Sequence, residues 1–377
     1  MKITVQTAAF ARELFKANGI GGSKSTMPIL QNIILEATDD QRVRIQITDL
    51  EVSLITELSG DDVQVHQPGR VLIRIRELHD TVKQLKTPSL TLEKDDQDWV
   101  NLESGTVKAR FVGSDPDEYP AIVDTQESEF FHVPTDRFVR MIQRVLFSVS
   151  RDSGRPHLCG GYLHAPSAGK IGMVSTDGHR LSFAQFDYDA EAPQEMTDGV
   201  IVPVKGLEEF IRSVDTTLAE VGVAFHQNNL VLQQEQTKLI IRLIDGSFPN
   251  YRQVLPAKRE DARSTIDRVM FLDRVNLVSL FTSKETHNLR LEFQSGNLVI
   301  SAHDPDKGEC EEHLAIDYQG NEVRAGFNAN YLKEVLKVLK GDDITVELTD
   351  SLKPAVIREL NEAEGESSVF ILMPMRI

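Results

Sequence analysis

The sequence has few cysteines and no long apolar run. Only Cys159 and Cys310 occur among 377 residues, and neither belongs to a CxxC or paired Cys/His pattern. This excludes a disulfide framework and a structural zinc site, and it predicts two buried free thiols. No segment approaches 18 consecutive apolar residues, and the opening MKITVQ lacks the apolar core of a signal peptide. We therefore expect a cytoplasmic protein.

Positive charge is also scarce. Lys and Arg number 41 against 58 Asp and Glu, so the formal net charge is −17. Taken alone, this balance argues against nucleic-acid binding, because such binding depends on Lys and Arg that neutralise phosphates. A net charge does not say where the charges lie, however. With 40% hydrophobic residues, the chain is long enough for two or three domains with their own cores.

Recognisable catalytic motifs are missing. The segment GIGGSKST lacks the glycine that a phosphate-binding loop needs directly before Lys24, and neither HExxH nor GxSxG occurs. The segment TDGHR, with Asp177, His179 and Arg180, contains residue types used in acid–base or metal chemistry. Asp-Gly after a strand is equally a turn signal. We expect a turn with exposed polar side chains, and predict no catalytic residue, cofactor or metal.

The chain contains a repeated order of strands and helices. MKITV is followed by a helix with Phe10, Leu14 and Phe15 on one face, and then by strands such as RVRIQIT that alternate charged and apolar residues. This β-α-β-β-β unit recurs along the chain and gives six related units. Three dipeptides mark corresponding places, with their prolines 129 and then 125 residues apart: Tyr119-Pro120, Phe248-Pro249 and Met373-Pro374.

These spacings predict an α+β fold of three similar domains, each with two β-α-β-β-β halves. The predicted limits are 1–124, 127–256 and 264–377. The predicted helices cover 7–18, 77–86, 135–147, 203–214, 272–283 and 330–340. An arc of such domains closes most simply as a twofold homodimer.

The predicted helices form a basic minority in an acidic protein. Together they carry a net charge of +5, against −17 for the whole chain. Two of them have basic stripes at helical spacing, one with Arg137, Arg140 and Arg144 and the other with Lys333, Lys337 and Lys340. A solvated helix face explains any single stripe, but repetition favours a shared role. Helices that line a ring with sheets outside would hold duplex DNA by its phosphates, without reading sequence.

The C-terminus is unusually apolar. It reads SSVFILMPMRI, with two methionines around Pro374, whereas most termini end in polar residues. Methionine suits adaptable binding surfaces because its side chain is flexible and polarisable. We expect VFIL to be the last strand and MPMRI to form part of a binding pocket.

Several segments together resemble the bacterial DNA polymerase III beta subunit family, the β sliding clamps. They are MPIL at 27–30, TDGHRL at 176–181, FPNYRQVLP at 248–256, GFNANY at 326–331 and the final MPMRI. The resemblance covers the whole chain. It implies a non-catalytic, head-to-tail homodimeric ring around double-stranded DNA, with helices inside and sheets outside. The implied partners are the replicative polymerase subunit, the clamp loader, and other polymerases, mismatch-repair and ligation proteins.

The resemblance also implies two sets of site residues. A pocket for a short peptide, typically a glutamine followed by apolar residues, would use Leu158, Thr176, Gly178, His179, Arg180, Leu181, Pro249, Val254, Asn328, Tyr331, Ser351, Ile371, Met373, Pro374, Met375 and Arg376. The DNA-facing residues would be Lys24, Arg137, Arg140, Arg144, Arg155, Lys205, Lys333 and Lys337. His157 departs from the family, which has an aromatic residue there, so the peptide preference of that edge stays open.

Two other functions remain as alternatives from the residues alone. One is a metal-dependent phosphoesterase that uses Asp177 and His179. The other is a repeat scaffold that does not bind DNA, for which neutralising the basic stripe of residues 137, 140 and 144 would leave DNA retention unchanged.

Overall fold

The structure, a computed structural model, describes residues 1–21, 27–255, 263–318 and 320–376. Lys24 lies outside the described residues. Strands dominate, with fewer helices, so the predicted α+β class is confirmed. Within the described part of the chain, every helix is too short or too polar to cross a membrane.

Thirteen strands precede residue 190: β1 Lys2–Gln6, β2 Asn32–Ala37, β3 Val43–Thr48, β4 Val52–Leu58, β5 Val63–Gln67, β6 Gly69–Arg74, β7 Ser89–Lys94, β8 Trp99–Ser104, β9 Val107–Ser114, β10 Phe131–Pro134, β11 Gly160–His164, β12 Lys170–Thr176 and β13 Arg180–Asp187. Twelve follow: β14 Val200–Pro203, β15 Glu220–His226, β16 Asn229–Gln234, β17 Thr237–Arg242, β18 Arg263–Asp267, β19 Asn288–Gln294, β20 Asn297–Asp304, β21 Gly308–Ala315, β22 Val323–Asn328, β23 Asp343–Glu347, β24 Ala355–Glu359 and β25 Glu366–Leu372.

The described helices are α1 Thr7–Asn18, α2 Ile75–Val82, α3 Thr135–Leu146, α4 Gln194–Asp198, α5 Val204–Ser213, α6 Arg268–Val278 and α7 Ala329–Val338. The short α4 was not predicted. Helix α6 begins four residues earlier than expected, because the Asp267 side chain accepts a hydrogen bond from Met270 N at 2.8 Å and caps its first turn. In α1, Phe10 and Leu14 are fully buried, whereas Phe15 is 49% exposed, so the apolar face predicted for these three residues is only partly buried.

The described residues group into two compact units. Unit 1 comprises Met1–Asp136 and Lys205–Leu243, and unit 2 comprises Arg137–Val204 and Ile244–Ile377. Unit 1 contains one 13-stranded sheet in the order β10-β15-β16-β17-β4-β3-β2-β6-β9-β8-β7-β1-β5. Here β17 pairs antiparallel with β4, so strands from the predicted second domain continue the sheet of the first.

Unit 2 contains two sheets. One has eight strands in the order β14-β11-β12-β13-β25-β24-β23-β18, and the other has the order β21-β20-β19-β22. Strand β13 pairs with the last strand, β25, along its length. Helices α6 and α7 pack around a core that includes Phe271, Phe327 and Phe370. The last strand of the chain is therefore central in its sheet, which fixes where the terminal MPMR segment begins.

Two sequence expectations need correction. Arg144 was placed in an exposed basic stripe, but it is only 7% exposed, and its Nη2 contacts Glu359 Oε2 at 2.5 Å. A buried guanidinium needs such a partner, so Arg144 cannot serve as a DNA-facing residue. Cys159 and Cys310 are both free, as predicted, but each is partly exposed rather than buried.

Candidate peptide-binding site

A tight turn at Thr176–Arg180 forms the first part of the site. The Asp177 carboxylate accepts hydrogen bonds from His179 N at 2.9 Å and Arg180 N at 3.1 Å. Thr176 Oγ1 accepts from Gly178 N at 3.1 Å and donates to Arg180 O at 2.6 Å. Gly178 has φ +93°, a conformation that favours glycine. Short polar side chains thus close the turn locally and leave His179 exposed.

Arg180 links this turn to other parts of unit 2. Its side chain is 8% exposed, and Nε lies 3.0 Å from Asp177 Oδ2. Nη1 pairs with Glu334 of α7, and Nη2 donates to Phe147 O at 2.5 Å. The guanidinium also lies over the Tyr331 ring, 4.2 Å from its centre. All three nitrogens are therefore used within the protein.

The tail lies between this turn and strand β22. Met373 N donates to His179 O at 2.9 Å, and Met375 N donates to Gly326 O at 2.8 Å. Asn288 Nδ2 donates to Arg376 O at 3.4 Å. These bonds hold MPMR in an extended form, with the Met373 side chain 39% exposed. The expectation that VFIL is a strand is confirmed, since β25 ends at Leu372.

Helix α7 supplies another wall. Asn328 is its N-cap, and its Oδ1 accepts from Asn330 N at 2.9 Å and Tyr331 N at 3.3 Å. Tyr331 is partly buried, and this burial, with Asp177 as the next contributor, raises the pKa of its hydroxyl group. Tyr331 therefore remains a neutral aromatic wall at ordinary pH.

An apolar cluster lies beneath the site. Leu181 and Ile371, which pair across β13 and β25, pack with Val174, Phe183 and Tyr251. Tyr251 belongs to the FPNYRQV segment, so this segment is anchored to the same sheet as the tail. The exposed Val254 lies three residues further along the chain. Buried apolar side chains that continue along the chain into the exposed Met373 and Val254 are of the type that lines sites for apolar side chains of a ligand.

The contacts of unit 2 thus connect most of the predicted pocket residues: Thr176, Gly178, His179, Arg180, Leu181, Asn328, Tyr331, Ile371, Met373, Met375 and Arg376. Pro249 and Val254 flank the anchored Tyr251, and Pro374 lies within the tail. Leu158 is buried and Ser351 is exposed on a separate turn. The pocket role of each residue stays a prediction.

Sequence reasoning missed Phe147 and Glu334, which hold Arg180, and Leu352, which is 85% exposed beside Ser351. Glu334 follows Tyr331 by three residues and so shares its helix face, but nothing in the sequence pairs it with Arg180. Leu352 could have been noticed as an apolar residue inside the polar turn TDSLKP.

The loop before β11 borders the turn. Arg155 Nε lies 2.9 Å from Asp152 Oδ2, and a side chain at Gly178 would lie 3.2 Å from Arg155 Nη1. His157, which departs from the family pattern, is partly buried, and a side chain at Gly246 would lie 3.5 Å from its Cβ. Arg155, predicted to face DNA, is therefore adjacent to the peptide-site turn.

A buried histidine supports the floor of the site. His164 Nδ1 lies 3.3 Å from Tyr162 O, and its Nε2 lies 2.6 Å from Tyr251 Oη. Because a carbonyl oxygen only accepts, Nδ1 carries the hydrogen and Nε2 accepts from the tyrosine. Burial lowers the pKa of His164 to about 4. The ring is therefore neutral and orients Tyr251.

This histidine predicts loss of stability in acid. The unfolded chain binds a proton at His164 below pH 6.5, whereas the folded protein does so only near pH 4. Its contribution is fully present above pH 6.5 and is lost as the pH falls towards 4, by about 3 kcal/mol. Urea unfolding of wild type and His164→Asn between pH 6.5 and pH 4 measures this loss. The free energy of unfolding should depend less steeply on pH in the variant. An equally steep dependence in both proteins would contradict the role of His164.

The remaining basic residues are mostly engaged. Arg140 forms a fork with Glu366, with Nη2 at 2.6 Å from Oε1, and Lys205 pairs with Asp49 in unit 1. Lys333 Nζ donates to Ser279 Oγ at 3.2 Å, and burial, then Lys337, lowers its pKa. Lys337 is exposed, and Arg137 is partly exposed. Apart from Arg144, the DNA-facing assignments stay predictions.

The geometry also bears on the phosphoesterase alternative. Both oxygens of Asp177 accept hydrogen bonds from the turn or from Arg180. A carboxylate held in this way is a structural element and is poorly placed to act as a base. No group of three or more candidate metal ligands occurs among the residues that the structure describes.

Comparison with known proteins identifies the family. Models of the DNA polymerase III beta subunit match the chain as N-terminal domain at 1–123, central domain at 132–250 and C-terminal domain at 252–376. The beta sliding clamps of Pseudomonas aeruginosa and Escherichia coli are each 28% identical over 377 residues, all of this chain and all of each relative.

Comparison with solved structures points to the same family. The DNA polymerase sliding clamp of Bacillus subtilis is 25% identical with a TM-score of 0.91, covering 100% of this chain and 99% of that one. A sliding clamp from Bartonella birtlesii bound to griselimycin is 26% identical with a TM-score of 0.91, covering all of both chains. The three-domain DNA clamp fold is thus confirmed, and the chain belongs to the DNA polymerase III beta subunit family, the sliding clamps of DNA replication.

Proposed function

We propose that this sliding clamp is a non-catalytic, cytoplasmic processivity factor that closes as a homodimeric ring around duplex DNA and tethers the polymerase through the peptide site. The observation that carries the tethering role is the position of the tail, bonded to the His179 turn on one side and to β22 on the other. The relative bound to griselimycin supports a ligand-binding pocket in this family.

The site suits a short apolar peptide. Its floor is buried and apolar, and Met373 can adapt to different side chains. The extended tail continues directly from β25, which carries Ile371 of this floor. A motif of this size typically binds in the micromolar range, roughly −8 kcal/mol. Polymerase retention would then depend on further contacts and on raised effective concentration.

Two strand edges suit pairing between copies. In unit 1, β9 pairs with β8, whereas it meets β6 only at Gly113 and Ser114, so its other edge is open over Val107–Val112 among the described residues. In unit 2, β21 pairs with β20 and no other described strand. The two strands have opposite charge, since β9 carries Lys108 and Arg110 and β21 carries three glutamates. Open edges of complementary charge favour pairing of β9 with the β21 of a second copy.

Apolar groups accompany both edges. A cavity of about 590 Å³ beside β9 is lined by Ile29, Leu72, Phe111 and Val112, and Val112 is 66% exposed. Near β21, Leu277 and Leu280 of the α6 region are 41% and 65% exposed. Arg274 Nε lies 3.6 Å from Glu312, so the face of α6 that carries Leu277 borders β21. We infer that these leucines enter the cavity of the partner copy.

DNA would be held by helices that carry exposed cations, with Lys337 on α7 as the clearest case. Contacts to phosphates alone carry no sequence information and permit sliding. The acidic remainder of the chain would repel DNA from other surfaces.

A topological experiment tests this function. Labelled protein is loaded onto nicked plasmid, the plasmid is then linearised, and the bound fraction is measured by gel filtration. A closed ring remains on the circle and leaves the linear form. Retention after linearisation would rule out the ring. Loss of labelled protein from both forms at once would favour the repeat scaffold that does not bind DNA.

A further inference from the structure

Arg180 lies at the centre of the peptide site, yet its charged group faces inward. The residue is buried, and each of its three guanidinium nitrogens has a partner: Asp177, Glu334 and Phe147 O. Its flat face lies over Tyr331. Three of its five N–H groups are used in this way, and the side chain is only 8% exposed, so little of the guanidinium is accessible to a bound peptide.

These partners come from three segments that form the site. Asp177 closes the turn that presents His179, whose carbonyl oxygen holds Met373 N. Tyr331 and Glu334 belong to α7, and Phe147 directly follows α3. One guanidinium thereby fixes the turn, the aromatic wall and the end of α3 relative to one another within unit 2.

The chemistry requires arginine in particular. A guanidinium is planar, so it can stack on a ring while its edges donate to several acceptors in different directions. A lysine ammonium has one nitrogen and cannot cover the ring and also reach Asp177, Glu334 and a carbonyl. Substitution by lysine would keep the charge and lose the geometry.

We infer that Arg180 is a positioning residue, which preorganises Tyr331 and the His179 turn for peptide binding without contacting the peptide. This inference rests on the proposed function, since it assigns a role within the same site. A site that is already ordered binds more tightly because less conformational freedom is lost on binding.

The opposite reading is direct electrostatic contact between Arg180 and an acidic residue of the peptide. The two readings differ in measurable ways. Direct contact makes the effect of Arg180 depend on acidic residues in the peptide and on salt. Positioning makes the effect equal for neutral and acidic peptides, and it makes Arg180 and Tyr331 energetically coupled.

Fluorescence anisotropy with two labelled peptides, one neutral and one acidic around the same glutamine and apolar core, tests the inference. Arg180→Lys should weaken both peptides by about tenfold. Tyr331→Leu should weaken binding similarly. The affinity of the double variant should lie within about twofold of that of either single variant. Glu334→Gln, on the exposed side of the cluster, should give a smaller loss that is again equal for both peptides. Lys170→Gln removes an exposed ion pair with Asp187 elsewhere in unit 2 and is the matched control.

A second measurement does not need peptide. Fluorotyrosine at position 331 should show a shifted ¹⁹F resonance in ligand-free Arg180→Lys and an unchanged one in Lys170→Gln. Unchanged affinity in Arg180→Lys, or a loss confined to the acidic peptide, would overturn the inference. If Arg180→Lys does not fold, Glu334→Gln replaces it. Unchanged affinity in Glu334→Gln, or a loss confined to the acidic peptide, would then overturn the inference. Failure of wild type to bind either peptide, with the resonance still shifted, would reject the proposed peptide site and keep the positioning of Tyr331.

Discussion

Removing residues 373–377 is expected to lower peptide affinity at least about 100-fold, below detection for a micromolar ligand. The deletion takes away the exposed Met373, the extended backbone beside the apolar floor and the bond to His179 O. Loss of central anchor groups costs roughly 3 kcal/mol or more. Fluorescence anisotropy with a labelled peptide of a glutamine followed by apolar residues measures the change.

The fold should survive this deletion, because β25 ends at Leu372 and keeps its pairing with β13 and β24. Dimer formation and retention on nicked plasmid should therefore be unchanged. Met373→Ala alone should weaken binding by about tenfold. Met27→Ala is the matched control, since Met27 is a similarly exposed methionine in unit 1. Full peptide affinity in the truncated protein would show that the tail is only a strand end.

Substituting Leu280 by aspartate is expected to convert the dimer into monomers. Leu280 is 65% exposed in the single chain and is proposed to contact Leu72, Phe111 and Val112 in the apolar part of the cavity beside β9 of the partner. A carboxylate in an apolar contact costs about 3 kcal/mol, and a closed ring contains two such contacts. The dissociation constant of the dimer should rise by roughly 10⁴-fold. Analytical ultracentrifugation over a range of protein concentrations measures this shift.

The matched control is Leu352→Asp, because Leu352 is an even more exposed leucine in the same unit. It should leave the dimer intact, because Leu352 lies on a turn outside α6 and β21. The Leu280→Asp protein should also dissociate from circular DNA as fast as from linear DNA, since a monomer cannot enclose a duplex. A stable Leu280→Asp dimer would place the interface elsewhere.

Much of the local structure follows from nearby residues. The periods of the strands and helices in the repeat predict an α+β chain, and α1 spans Thr7–Asn18 as expected. The prediction of a turn at TDGHR is confirmed, because Asp177 and Thr176 bond to backbone groups only two to four residues away. The expectation that its polar side chains are exposed is wrong for Arg180, which is buried. Such patterns are encoded within one window of sequence. The apolar tail likewise indicates a binding role before any contact is known.

The electrostatics of the helices did not follow from the sequence. Arg140 and Arg144 lie on one helix face in the sequence pattern, yet their carboxylate partners Glu366 and Glu359 are more than 200 residues away. Charge counting treats every arginine as available. Only packing decides which are neutralised by a buried carboxylate, and Arg144 is one of these.

The peptide site divides in the same way. The sequence by itself determined its local parts: the turn, which is stabilised by groups a few residues apart, and the apolar character of the end of the chain. Only the tertiary structure placed Arg180 against Glu334, 154 residues later, and Met373 against His179. The partner of a buried charge or of a backbone N–H depends on which distant segments pack together, and no local pattern encodes that choice.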